Sequence, residues 1–189
     1  PRLRINEIFY SVQGESTHAG RPCVFVRLTG CPLRCRYCDT AYAFHEGTHR
    51  SLESILDEVR RYPCRLVEVT GGEPLAQPAA IALLQALLDA GYEVLLETSG
   101  AVSVALVPKG VRKIVDLKTP GSGEAQRNDW SNLEHLGPGD EVKFVVQSRR
   151  DYEWAREVMR RHRRHEKATV LFSPEWESPG GGPISAILF

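Results

Sequence analysis

Three cysteines, Cys31, Cys35 and Cys38, fall within the stretch "GCPLRCRYCDT" from Gly30 to Thr40. A disulfide uses two thiols and a structural zinc ion asks for four ligands, so three thiols this close satisfy neither alone. Thiolates also hold iron–sulfur clusters, and a cube of four irons normally takes four of them. Three cysteines would bind three irons and leave the last one open to a small molecule. A second stretch, "TGGEP" from Thr70 to Pro74, suits a ligand-facing turn. Its glycines let backbone carbonyls come close to a bound group, and the Glu73 carboxylate can accept from an ammonium.

Plainer readings stand beside these. The cysteines could form a zinc site with His45, His49 or Cys64 as fourth ligand. Cys23 and Cys64 flank or sit in apolar runs and read as small buried residues. The double glycine alone could be a strand-to-helix turn, and Thr40 alone a turn hydroxyl. From Arg149 to Lys167, eight Lys or Arg stand against four acids. That run reads as a solvated helix face before it reads as an RNA-binding strip.

The elements that position these motifs alternate between strand and helix patterns. "PCVFVRL" (22–28) is β-branched and runs into the cysteines. "SLESILDEVRRY" has Leu52, Ile55, Leu56 and Val59 at helical spacing, with Ser51 as N-cap. "LVEV" (66–69) is a strand ending at the double glycine. "PAAIALLQALLDAG" is a helix punctuated by Pro78 and Gly91. Strands follow at 92–98, 111–118, 140–147 and 168–174. A helix with Ala155, Val158, Met159 and His162 on one face begins at Arg149, and the segment 119–139 is the longest irregular piece. This order predicts right-handed βαβ crossovers and an α/β fold: a partial, open parallel β/α barrel of about six strands in a single domain over 1–189. Every unusual segment then falls at the carboxyl ends of strands, where such folds keep their active sites.

The chain has 189 residues, 42% hydrophobic and 25% charged, with zero formal net charge. No bulk field draws it to nucleic acid or membrane, and no apolar run nears the ~20 residues of a membrane helix. Five cysteines, three of them clustered, argue against a disulfide framework and predict a cytoplasmic location.

The spacing C-x3-C-x2-C after the first strand, together with "GGEP", resembles the signature of the radical S-adenosylmethionine superfamily. "INEIFYSVQGES", "FVRLTGCPLRCRYCDT", "TGGEP", "LETSG" and "DLKTPGSGE" together closely resemble the 7-carboxy-7-deazaguanine synthase family, over about residues 4 to 175. The resemblance implies conversion of 6-carboxy-5,6,7,8-tetrahydropterin to 7-carboxy-7-deazaguanine with ring contraction and loss of ammonia. It implies a [4Fe-4S] cluster, S-adenosylmethionine and Mg2+. It also implies a homodimer and an electron donor such as flavodoxin or ferredoxin. Cys31, Cys35 and Cys38 would hold the cluster and Thr40 the Mg2+. Tyr37, Cys38, Asp39, Gly72, Glu73, Ser99, Asp116, Leu117 and Lys118 would line the S-adenosylmethionine. Arg27 would fork onto the pterin carboxylate; Val12, Gln13, Gly14, Glu15 and Thr70 would contact the rest of the pterin, the first of these from a substrate-binding extension over 1–20. The family's usual C-terminal segment, rich in Gln, His, Lys and aromatics, is not matched by the atypical tail at 175–189. Ser173 is the one substrate candidate there. Two rival functions are an activase making a glycyl radical on a partner protein and a non-enzymatic metal-binding module. An activase would have no use for "VQGE", Arg27 and Thr40 as grips on a carboxylate and a metal.

Overall fold

The computed structural model describes residues 1–162, 167–175 and 187–188. Its strands are β1 (Arg2–Val12), β2 (Pro22–Leu28), β3 (Thr48–Ser51), β4 (Leu66–Gly71), β5 (Glu93–Thr98), β6 (Arg112–Asp116), β7 (Glu141–Val146), β8 (Thr169–Pro174) and β9 (Ile187–Leu188). The α-helices are α1 (Leu52–Val59), α2 (Ala80–Asp89) and α3 (Arg149–His162). One nine-stranded sheet runs in the order β3-β1-β2-β4-β5-β6-β7-β8-β9.

The six expected strands form its parallel centre, β2 to β8 without β3, each beside the next in chain order. Such singly wound order puts the crossover helices on one face and leaves the other as the interior of a partial barrel. Three antiparallel strands were not expected: β1 and β3 on one edge and β9 on the other. The pattern of β1 is hidden because its register with β2 shifts between Ile5 and Glu7, which breaks the alternation of Leu3 and Ile5. The expected helix beyond His162 includes residues 163–166, and the atypical tail is mostly 176–186 and 189; these lie outside the described residues, apart from Ile187–Leu188 in β9.

The helices form for local reasons. Ser51 Oγ accepts from Ser54 N at 3.2 Å and caps α1. Gly91 takes φ +81° just past α2, a conformation in which a Cβ is strained. Their apolar stripes, Ile55 and Val59 of α1, Leu83, Leu84 and Leu87 of α2, and Ala155, Val158 and Met159 of α3, bury against Val24, Val26, Val67, Val69, Val94, Leu96, Val115, Val142 and Phe144 of the sheet. The inner face has a smaller apolar floor of Cys23, Phe25, Leu66, Leu95 and Ile114.

The irregular segment 119–139 is held by side-chain amides in place of a helix ladder. Asn132, fully buried, accepts from Val104 N at 2.8 Å and donates to Gly100 O at 3.1 Å and Val102 O at 3.0 Å. Asn128 does the same for Lys118, accepting from its N–H and donating to its carbonyl. Between β5 and β6 the chain makes no α-helix, and Asn132 supplies the polar partners that a helix would have supplied. Asn132→Ala takes a partner from Val104 N, Val102 O and Gly100 O, of which Gly100 O keeps Asp129 N, and is expected to cost ~2 kcal/mol, read by urea unfolding; an unchanged midpoint would show that the amide does not organise this crossover.

Candidate active site

The loop after β2 carries the three cysteines and is pinned from three sides. Gly30 N donates to Ala43 O at 2.8 Å, Glu73 N to Gly30 O at 2.8 Å, and Arg36 N to Ser122 O at 3.0 Å. Arg34 folds back, donating to Cys31 O at 2.8 Å with its guanidinium 4.2 Å from the Phe44 ring. All three thiols are free and half-buried. They lie close enough for Cys31 and Cys38 each to disfavour ionisation of Cys35. Burial first, offset in part by Lys118, pushes the Cys35 thiol up to about 11; burial also raises Cys31. Binding iron must therefore displace a proton from Cys31 and from Cys35.

The double glycine is a packing necessity. A Cβ on Gly72 would stand 2.3 Å from Gly30 O and 2.8 Å from Cys31 Cβ. Gly71, at φ +147°, would meet Leu28 O at 2.3 Å. The close approach foreseen for a ligand is made first by the cysteine loop itself.

Glu73, expected beside the S-adenosylmethionine, is held by its neighbours in the fold. Its carboxylate is fully buried and accepts from Leu75 N, Thr98 Oγ1, Ser99 N and Ser99 Oγ, at 2.5 to 2.9 Å. Through these contacts Glu73 and Ser99 lock the end of β4 to the end of β5. Leu117 also differs: its side chain is fully buried in the helix-covered core and its N–H donates to Lys143 O at 2.9 Å.

Asp116, Lys118 and Tyr37 come together beside the cysteines. Lys118 Nζ is 2.8 Å from Asp116 Oδ2 and 5.9 Å from the centre of the Tyr37 ring. Asp116 Oδ1 and Tyr37 OH are buried without a hydrogen-bond partner among the described residues. Burial, then the charge of Asp116, holds the Tyr37 hydroxyl well above its usual range; burial would lower Lys118, but Asp116 more than offsets it.

Arg27 and Thr70 are cross-strand partners on the inner face. Arg27 Nε donates to Glu7 Oε1 at 2.8 Å, and Tyr42 OH donates to the same oxygen. Ser173 lies on that face too, as partner of Val145. The segment from Gln13 to Arg21 crosses the face from below. Gln13 Nε2 donates to Glu68, Glu15 takes Lys143 Nζ at 2.6 Å, and Thr17 N donates to Glu141 at 3.0 Å. The Gln13 amide, expected to serve a ring edge, is engaged by Glu68 and by Glu15 N, and its backbone closes the hairpin with Gly20 and Arg21. Val12 and Gly14 are exposed at the hairpin end, and Asp39 is exposed beside Thr40, whose Oγ1 is 3.8 Å from Cys38 Sγ.

Three residues were missed, Glu68, Glu97 and Lys143, which share the inner face with Arg27, Thr70 and Asp116. A signal existed: in "VEVT", "LLET" and "VKFV" one charge interrupts an otherwise apolar parallel strand. The zinc alternative finds no support. Cys64 Sγ donates to Pro22 O at the start of β2, about 20 Å from the cysteines at its end. Among the described residues no three of His, Cys, Asp and Glu converge as ligands of a single ion. On α3, Arg149 pairs with Glu153, and Arg160 and Arg161 with Glu157, as on a solvated helix face.

The chain matches the Radical SAM superfamily over residues 25–173. It is 47% identical to the 7-carboxy-7-deazaguanine synthase of Koribacter versatilis over 97% of this chain and 83% of that protein. It is 45% identical to the protein of the same name from Chlorobaculum tepidum, over 91% and 80%. The crystal structure of QueE from Escherichia coli superposes with a TM-score of 0.77 at 26% identity, covering 92% of this chain and 84% of that one. Gly72→Ala, which drives a methyl into Gly30 and Cys31, is expected to at least halve the iron retained per chain after anaerobic reconstitution while helix content by circular dichroism stays unchanged; full iron loading would refute the packing role.

Proposed function

This chain belongs to the 7-carboxy-7-deazaguanine synthases within the radical SAM superfamily, and we propose that it converts 6-carboxy-5,6,7,8-tetrahydropterin to 7-carboxy-7-deazaguanine with loss of ammonia. It is a radical SAM enzyme of 7-deazapurine biosynthesis, a family that carries a [4Fe-4S] cluster and S-adenosylmethionine. The observation that carries the pterin reading is Arg27 beside Thr70 on the inner face, within a few residues of the cysteine loop that follows β2.

The residues fit both groups. Cys31, Cys35 and Cys38, free thiols on one loop, would supply the three cluster ligands. Asp116 Oδ1 and Tyr37 OH, buried and unpaired, await polar atoms of a bound molecule in the same corner. With both cofactors bound, the chemistry supplied is one-electron cleavage of a sulfonium and hydrogen abstraction from the substrate. What the chain contributes is position. Arg27 is anchored through Nε by Glu7, which leaves its terminal nitrogens to grip the pterin carboxylate. Thr70, Glu15 and Ser173 border the same face, and Val12 and Gly14 belong to the hairpin end that closes it from below. Gly72 offers its backbone, with Asp39, to the S-adenosylmethionine. Thr40 is the Mg2+ ligand in this reading; a lone hydroxyl suits an ion that keeps its waters and borrows oxygens from the substrate carboxylate. A homodimer, a flavodoxin or ferredoxin as electron donor, and a cytoplasmic setting complete the proposal. No described helix is long and apolar enough to cross a membrane.

The deciding experiment is an anaerobic assay of reconstituted protein with the carboxytetrahydropterin, S-adenosylmethionine, Mg2+ and dithionite. Product formation is expected; S-adenosylmethionine cleavage that responds only to an added partner protein would overturn the pterin reading. Cys35→Ala is expected to abolish turnover with the unfolding midpoint nearly unchanged, and retained turnover would remove the cluster from the mechanism. Arg27→Lys is expected to weaken pterin binding about tenfold while S-adenosylmethionine binding changes less than about twofold, because an ammonium reproduces a forked carboxylate contact poorly. Equal losses in calorimetry would refute the carboxylate assignment.

A further inference from the structure

The inner face holds more carboxyl groups than cations. Glu68 on β4 and Glu97 on β5 share the inner face of two paired strands, Glu68 opposite Leu95 and Glu97 two residues further on, near enough for their carboxyl groups to interact. Glu68 is 2% exposed and takes its other contact from the neutral Gln13 amide. Glu97 takes the ammonium of Lys143, which also serves Glu15 at 2.6 Å and lies 3.7 Å from Asp116. Lys118 is held by Asp116 at 2.8 Å, and the Arg27 guanidinium on β2 by Glu7 at 2.8 Å. Of Glu15, Glu68, Glu97 and Asp116, which face the ammonium groups of Lys118 and Lys143, Glu68 has no cation in contact among the described residues. Two carboxyl groups can hydrogen-bond to each other only if one keeps its proton.

We propose that Glu68 and Glu97 share a single proton, carried by Glu68, and that Glu68 is a positioning residue which fixes the Glu97 carboxylate, beside Lys143, at the edge of the substrate cavity. The donor is the Glu68 carboxylic acid and the acceptor the Glu97 carboxylate; no proton leaves the pair. The proposal rests on the pterin reading only for what fills that cavity.

The surroundings agree. Burial first, then the charge of Glu97, holds Glu68 well above the usual carboxylate range. Burial alone would raise Glu97, but Lys143 and then Lys118 bring it below that range. From β2, the Cys23 thiol is pushed up to about 12 by burial and then by Glu68, so it offers no charge. The folded chain therefore binds the Glu68 proton more tightly than the unfolded chain does. That stabilisation is complete below the ordinary carboxylate range and is lost as pH rises through the raised folded value.

Glu68→Gln keeps a donor to Glu97 and cannot ionise; Glu68→Leu removes the donor. In infrared spectra at neutral pH, the wild-type chain is expected to show a protonated-carboxyl stretch that both variants lack. In urea unfolding, wild-type stability falls as pH rises above about 5, and Glu68→Gln flattens this fall. In turnover, Glu68→Gln keeps kcat/KM within about threefold and loses the alkaline decline, whereas Glu68→Leu drops about tenfold with iron content unchanged. No protonated-carboxyl band, or a Glu68→Gln pH profile that overlies the wild type, overturns the proposal. If the wild-type chain does not turn over the pterin, the pterin reading fails alone, and the infrared and unfolding experiments still decide the shared proton.

Discussion

The ends of β2 and β4 can lie against each other only because position 72 has no side chain. A single methyl there would overlap the backbone of Gly30 and the Cβ of Cys31. Much else follows from that contact. It presses the cysteine loop onto the sheet, sets the level at which the three thiols stand, and brings Glu73 under the end of β5. Glu73 then joins β4 to β5 through four donors, two of them hydroxyls, so that neighbouring strands end at a common height. A parallel sheet delivers its strand ends to one side in any case; the missing methyl and the buried carboxylate turn that coincidence into a rigid rim.

Beneath the rim the problem is electrostatic. The inner face of the barrel is too small for a second hydrocarbon core, and its apolar floor ends after Phe25, Leu95 and Ile114. Above that floor the strands carry Arg27, Glu68, Thr70, Glu97, Asp116 and Lys143. Buried charge is tolerated where it is paired, and Lys143, surrounded by Glu15, Glu97 and Asp116, keeps its proton well above the usual range although burial opposes this. The same arrangement gives a substrate of mixed polarity a lining of fixed donors and acceptors. Such a lining need not reorganise when a reactive species forms beside it.

The sequence made the parallel centre of the fold legible, because β-branched runs and amphipathic stripes alternate from Pro22 to Pro174 and each run ends in unusual residues. It also made the cysteine loop legible, since little else asks for three thiols at that spacing. Two kinds of feature escaped. The edge strand β1 hid behind its register shift, where Ile5 and Ile8 fall out of step with a simple two-residue alternation. The polar residues of the inner face hid because each is one charge in a short apolar run, and a lone charge reads as a strand end until neighbouring strands supply its partners. Glu73 shows a structural role that its type alone did not announce. Its type and place suited a ligand, yet hydroxyl and amide donors nearby in space claim it.

One strut spans the molecule: Thr17, in the hairpin before β2, donates to Glu141 on β7, a separation of 124 positions. Emerging from a ribosome, the hairpin can meet Glu68 and Glu93 first, and Glu141 and Lys143 only when most of the chain has followed. The lower end of the barrel is therefore braced late, because contacts of such long sequence separation form slowly. Phe9 and Tyr10 of the first strand are covered earlier, by Phe25 of β2 and by Tyr62, so a nascent chain stalled short of β7 lacks the brace across the barrel and not its edge strand.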